Sequence, residues 1–249
     1  MTPQNIYDDP EFLAGYVTLD RQTRGLDGAA EWPTLRSMLP DVSGRRVVDL
    51  GCGFGWFSRW AAAESATSVL GIDVSDSMLE RARTDTADAS VQYRRCDLDR
   101  LDLEPGSTDV VFSSLALHYV HDLERLVASV AGALTDGGSI VFSVEHPIYS
   151  APTNQAFVDG ADGARFWPLD DYLVEGERVR HWFVDGVVRQ HRTIATYVNT
   201  LIDAGLRIAR VVEWGPTVDD VAARPELADD RHRPWFLLLG ATKPTRAGV

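Results

Sequence analysis

Three observations predict an α/β fold with a mostly parallel, doubly wound sheet. Residues 46–73, RVVDLGCGFGWFSRWAAAESATSVLGID, read as strand, glycine turn, helix and strand. Strand and helix patterns alternate from there to about residue 145, and two more strand patterns, LRIARVVEW and RPWFLLLGATK, come near the end of the 249-residue chain. Parallel strands joined by helices make right-handed βαβ units, with a ligand crevice at the carboxyl ends of the strands.

In chain order, residues 1–45 carry Tyr7, Phe12, Tyr16, Trp32 and Leu35, too aromatic for a disordered tail, and are expected to pack as helices over the crevice. EWPTLRSMLP places Leu35, Met38 and Leu39 on one helical face and stops by Pro40. Val47 and Val48 are β-branched, as a strand buried on both faces requires; Asp49, Gly51, Gly53 and Gly55 end it in a turn. Phe57, Trp60 and Ala61 then recur at helical spacing, and Val69 to Ile72 form a second strand stopping at Asp73. Ser75 reads as the N-cap of a helix with Met78, Leu79 and Ala82 inside. Val91 to Arg95 is a third strand, followed by Asp97; Asp109 to Ser113 is a fourth, running into SSLALHYV. DLERLVASVAGALTDGG is an amphipathic helix with Gly137 and Gly138 past its end, and SIVFSVEHP a fifth strand delivering Glu145 and His146 to the crevice.

Residues 147–192 exceed an ordinary connection of about 2–6 residues. Their β-branched runs around Asp185-Gly186, a hairpin-turn pair, predict two or three antiparallel strands forming a lid. Trp167, Arg178, His181, Trp182, His191 and Arg192 are its candidates for setting substrate choice, and Glu145 is expected to face either a cationic acceptor or an arginine of the insert. RTIATYVNTLIDAGL follows as a helix capped by Gly205. The expected organisation is one domain over 1–249: helical arm 1–45, cofactor-binding half 46–146, lid 147–192, and C-terminal helix and strands 193–249.

Composition bounds the partners. With 45% hydrophobic and 24% charged residues the chain is ordinary for a globular protein. It has no run of about 18 apolar residues and no signal-peptide pattern at its start, so a cytoplasmic protein without a membrane partner is expected. A net charge of −13 leaves little room for the basic footprint that nucleic acid needs. Cys52 and Cys96 are expected as free thiols, no histidine or cysteine spacing suggests a metal, and homo-oligomerisation is left open.

The ligand follows from the charges at the glycine turn. The dinucleotide fingerprint GxGxxG has Trp56 where its last glycine belongs, and pyrophosphate there would meet the carboxylate of Asp49. A ligand with a cationic amino group, a sulfonium arm and a ribose fits better, since Asp73 can accept from both ribose hydroxyls. That description is met by S-adenosylmethionine. VVDLGCGFG followed by GIDVS resembles the cofactor motifs of class I S-adenosylmethionine-dependent methyltransferases, particularly the broad bacterial small-molecule group. The likeness runs on through CDLDRL, TDVVFSSLALHYV and LTDGGSIVFSVEHP, about residues 30–147.

The resemblance implies a Rossmann-like class I methyltransferase fold: a seven-stranded, mostly parallel sheet with the last strand antiparallel, helices on both faces, and a β-rich lid insertion after strand five. It implies in-line methyl transfer from S-adenosylmethionine to an oxygen or nitrogen of a small-molecule acceptor. A protein or RNA methyltransferase, or a non-methylating cofactor-binding member of the fold, is the alternative. The cofactor is then expected against Asp49, Gly51, Cys52, Gly53, Asp73, Val74, Asp97, Leu98, Ser113 and Leu115, with Asp49 and Gly51 at its methionine end and Asp97 at the adenine. His118, His146, Tyr7 and Tyr16 are the candidates for catalysis, histidine because it titrates near neutral pH and tyrosine because it joins an apolar ring to a hydroxyl.

Overall fold

The computed structural model describes residues 4–161 and 163–245. Its first helices belong to the N-terminal arm: α1 (Pro10–Tyr16), capped by the Asp9 carboxylate on the N–H groups of Glu11 and Phe12, α2 (Asp20–Thr23) and α3 (Trp32–Met38). The chain then alternates through β1 (Arg46–Leu50), α4 (Trp56–Ala63), β2 (Ser68–Asp73), α5 (Asp76–Thr84), β3 (Val91–Arg95), β4 (Thr108–Ser114), α6 (Leu123–Ala133) and β5 (Leu134–Glu145). Ser75 caps α5 by accepting from the Met78 N–H, as its position before a helical run predicts. The insert holds α7 (Pro147–Ser150), two two-residue strands β6 (Val158–Asp159) and β7 (Arg165–Phe166), and a hairpin of β8 (Gly176–Trp182) and β9 (Val184–His191). Helix α8 (Ile194–Asp203), β10 (Arg207–Trp214), α9 (Val218–Ala223) and β11 (Phe236–Thr242) complete the described chain.

The large sheet has the order β10-β11-β5-β4-β1-β2-β3, parallel throughout except for β11, which runs against both neighbours. Each face is covered by its own apolar cluster. On one, Leu126 and Val130 of α6 and Tyr197 and Leu201 of α8 pack on Phe142 and Leu239. On the other, Trp32 and Leu35 of the arm meet Phe57 of α4 and Phe112 of β4, with Phe57 and Phe112 stacked at 3.7 Å between ring centroids. Coverage on both sides is what a parallel sheet requires, and it leaves the carboxyl ends of β1, β2, β4 and β5 as the open edge.

Two local expectations are corrected. The hairpin turns at Phe183, with φ of 62°, and Asp185 and Gly186 lie inside β9, where a register shift between Arg180 and Trp182 marks a bulge and Gly186 takes φ of 83°. Tertiary packing wins over the local turn signal here, since the Phe183 ring lies edge-on to Phe12 of the arm at 5.8 Å. Strand β5 also starts earlier than the apolar pattern says. Leu134 already pairs with Thr108, so Gly137 and Gly138, which lie past the end of α6 as expected, also fall within the strand, at an irregularity.

Candidate active site

At the carboxyl ends of the parallel strands lies a cavity of about 900 Å³. One half is built by the β1–α4 turn. Gly51, Gly53 and Gly55 all have positive φ, a conformation that suits glycine. A Cβ on Gly51 would come within 2.2 Å of the Ala116 side chain, whereas one on Gly53 would meet no atom within 4 Å, so the turn presents bare backbone to open space. Asp73, at the tip of β2, accepts from the N–H of Gly53 at 2.9 Å and of Ser75 at 3.0 Å. Burial pushes its carboxyl up, and the N–H donors of Ser75, Gly53 and Val74 oppose that shift. Leu115 follows β4 with φ of 53° and is held there by the Ser143 carbonyl, accepting its N–H at 3.0 Å.

The arm and the hairpin border the cavity. Asp8 accepts from the Ser75 hydroxyl at 2.6 Å and the Ser77 N–H at 3.1 Å, tying the arm to the start of α5. Gln4 clasps β9, donating to the Gly186 carbonyl at 2.6 Å and accepting from the Val188 N–H at 2.8 Å. Between these anchors Tyr7, Phe12 and Tyr16 pack edge-to-face or stacked on one another, and Phe12 and Tyr16 meet Trp182 of the hairpin at 5.2 and 5.9 Å.

The other half is polar and aromatic. Glu145, at the tip of β5, pairs with the Arg189 guanidinium, which also lies over Trp182 at 4.6 Å. Arg233 lies beside the stacked rings of Tyr149 and Trp167, at 4.6 and 4.3 Å, and pairs with Asp230. The Tyr7 hydroxyl bonds that of Tyr119 at 3.1 Å, and burial raises the pKa of both phenols, so they stay protonated.

Comparisons place this architecture among known proteins. Residues 48–142 match the family model described as a methyltransferase domain. The crystal structure of an S-adenosylmethionine-dependent methyltransferase from Mesorhizobium loti is 54% identical, with a TM-score of 0.84 over 88% of this chain and 100% of that one. The chain belongs to the S-adenosylmethionine-dependent methyltransferases. An uncharacterized protein of Haemophilus influenzae is 32% identical over 96% of this chain and 97% of its own. A ubiquinone biosynthesis O-methyltransferase of Idiomarina loihiensis is 32% identical over 54% of this chain, which spans 60% of that relative's length.

The cofactor of this methyltransferase suits the glycine-turn half: bare backbone at Gly53 admits close approach, and Asp73 presents a carboxylate at the β2 tip. Of the residues expected at the cofactor, Gly51, Gly53, Asp73, Val74, Asp97, Leu98 and Leu115 line the cavity. Asp97 also caps a turn through the Asp99 N–H at 3.0 Å. Asp49, Cys52 and Ser113 are not among the lining residues. Asp49 lies beneath the turn, accepting from the Ser58 hydroxyl at 2.7 Å, Cys52 is buried, and the Ser113 hydroxyl is spent on the Leu50 carbonyl at 2.7 Å.

Among the catalytic candidates, Tyr7, Tyr16 and His118 line the cavity and His146 does not. The His146 ring is fully buried, its Nδ1 accepting from the Ile148 N–H at 3.1 Å and its Nε2 facing Glu213 of β10 at 3.0 Å. It caps α7, because alternation along β5 turns it away from the side Glu145 faces. His118 accepts from the Glu145 N–H at Nδ1, at 3.4 Å, so its proton sits on Nε2; burial and the positive charges of Arg189, Arg192 and Arg21 hold it neutral. Of the insert candidates only His181 and Trp182 reach the cavity. Arg178 bonds carbonyls of 151, 171 and 174, Arg192 those of Val120 and His121, His191 the Ser150 side chain and the Tyr172 carbonyl, and Trp167 the Ile148 carbonyl. Sequence reasoning missed Arg189, Arg233, Tyr119 and Tyr149. The signal it held was the expected Glu145–arginine pair, without saying which arginine.

Proposed function

We propose that this enzyme methylates an oxygen or nitrogen of a small-molecule acceptor held between the arm and the hairpin. The observation that carries this reading is one continuous cavity of about 900 Å³ that runs from the glycine turn to the β8–β9 hairpin beside aromatic side chains of both the arm and the hairpin. Its size suits a cofactor together with a compact acceptor, and these two elements leave a macromolecular surface no flat approach.

In this reading Asp73 accepts from the ribose hydroxyls, Gly51 and Gly53 take the methionine end on their backbone, and Asp97, Val74 and Leu98 border the adenine. The bound cofactor supplies an electrophilic methyl carbon. The chain's own contribution is alignment and exclusion of water. Tyr7 and Tyr16, buried and protonated, form the wall between the two halves. His118, neutral with its proton on Nε2, donates a hydrogen bond toward the acceptor rather than taking its proton.

The test is to incubate the enzyme with S-adenosylmethionine and either the small-molecule or the macromolecular fraction of a cell extract, and to measure S-adenosylhomocysteine. Turnover is expected with the first fraction; turnover confined to the second overturns the reading. In the same assay His118→Gln, which keeps a donor in place of Nε2–H, is expected to lose about tenfold or less. A loss of about 10²–10⁴ instead assigns His118 as the general base.

A further inference from the structure

The protein carries a net charge of −13, yet three arginines, Arg180, Arg189 and Arg233, line the acceptor half of its cavity. Among the described residues two carboxylates pair with them, Glu145 with Arg189 and Asp230 with Arg233. Arg180 spends its Nη groups on the carbonyls of Ser150, Pro152 and Thr153 and has no carboxylate partner among the described residues. Glu177, which also borders the cavity, is exposed to solvent.

Hydrogen-bond capacity is left over as well as charge. A guanidinium has five N–H donors. Arg233 uses Nη2 for Asp230, and the described residues give no acceptor to its other nitrogens; Arg189 bonds Glu145, and its Nε is buried without a partner. Both side chains are nine-tenths buried, at 10% and 8% exposure, so water screens them poorly. Aromatic faces hold each one still: Tyr149 and Trp167 for Arg233, Trp182 and Tyr119 for Arg189. Burial lowers the pKa of both Arg180 and Arg233, whereas Glu145 and the phenols of Tyr119 and Tyr7 raise that of Arg189 against its burial; of the three, Arg189 is the one whose charge acts on His118.

We propose that the methyl acceptor carries an oxyanion, a carboxylate or a phosphate, which sits between Arg189 and Arg233 with Arg180 adding charge behind it. This rests on the acceptor-site reading above and names the class of molecule the site takes. Planar guanidinium groups match both oxyanions in a fork geometry, and rings fixed beside them place the anchored acceptor against Tyr7 and His118. The anion thereby serves as the handle by which the rest of the molecule is aimed at the cofactor half.

The test titrates phenyl phosphate, benzoate and neutral benzamide into the full chain saturated with S-adenosylhomocysteine, by calorimetry at low salt. Aromatic probes suit walls made of Tyr149, Trp182 and Trp235. At least one anion is expected to bind tenfold or more tightly than benzamide, with phenyl phosphate ahead assigning a phosphate and benzoate ahead a carboxylate. Arg233→Gln should remove that preference. Glu145→Gln, which frees Arg189 from its carboxylate, should raise anion affinity several-fold, a gain that misfolding cannot imitate. Benzamide binding as well as both anions, or anion affinity unchanged in both variants, overturns the proposal. Failure of the parent to bind S-adenosylhomocysteine is a different result: it removes the methyl-transfer reading and the oxyanion acceptor with it.

Discussion

Asp49 shows how one buried carboxyl couples the site to stability. Burial raises its pKa to about 7, with the Ser58 hydroxyl opposing the shift and Asp73 adding to it. An unfolded aspartate titrates near 3.9, so between about pH 4 and pH 7 the unfolded chain has released a proton that the folded chain still holds. Stability therefore falls as pH rises through that window. Buried His146, lowered to about 4, acts oppositely: its contribution is lost as pH falls below about 6.5 toward 4. The difference between Asp49→Asn and the parent isolates the aspartate. In urea unfolding, the variant is expected to gain about 1–3 kcal/mol relative to the parent on going from pH 5 to pH 7.5. An identical difference at both pH values would show that Asp49 is ionised in the fold throughout.

Among the elements, the arm is the one whose hold on the cavity rests on few bonds. Asp8 anchors it to α5 at Ser75 and Ser77, and Gln4 joins it to β9. Removing the Asp8 carboxylate costs about 1 kcal/mol, the scale of a lost helix cap, and leaves Phe12 and Tyr16 as the aromatic anchors on the hairpin. Asp8→Ala is accordingly expected to weaken S-adenosylmethionine binding about fivefold and to speed protease cleavage within residues 4–16. Unchanged affinity together with unchanged cleavage would show that the aromatic packing alone keeps the arm closed.

For the molecule as a whole, the cofactor half belongs to the folded state only, because Gly53 of the β1 turn and Asp73 of β2 meet nowhere else. A ligand present at about 100 times its Kd adds about 2.7 kcal/mol to stability, which for a chain of this length raises Tm by on the order of 5–10 °C. S-adenosylhomocysteine is expected to give that shift in the parent and much less in Asp73→Ala. A nicotinamide dinucleotide giving the larger shift would count against the ribose role of Asp73. Among the described residues no helix is long and apolar enough to cross a membrane.

The sequence by itself determined the elements that depend on near neighbours. β-branched runs, the glycine turn, the Ser75 cap and the helix periods fixed the order of strands and helices, and Gly51, Gly53 and Asp73 were legible because one βαβ unit holds them within about 25 residues. Even the pairing of Glu145 with an arginine of the insert was readable as one of its alternatives. Only the tertiary structure decided which side chains meet at the acceptor. Arg189 and Arg233 read as ordinary polar positions, the first in an alternating hairpin and the second beside a proline, and which face of that hairpin looks inward is set by Phe12 and Tyr16 docking from some 170 residues away. The same packing moved the turn from Asp185-Gly186 to Phe183, and alternation along β5 gave the cavity Glu145 and the protein interior His146. Local pattern sets what a segment can form; long-range burial chooses the direction in which it faces.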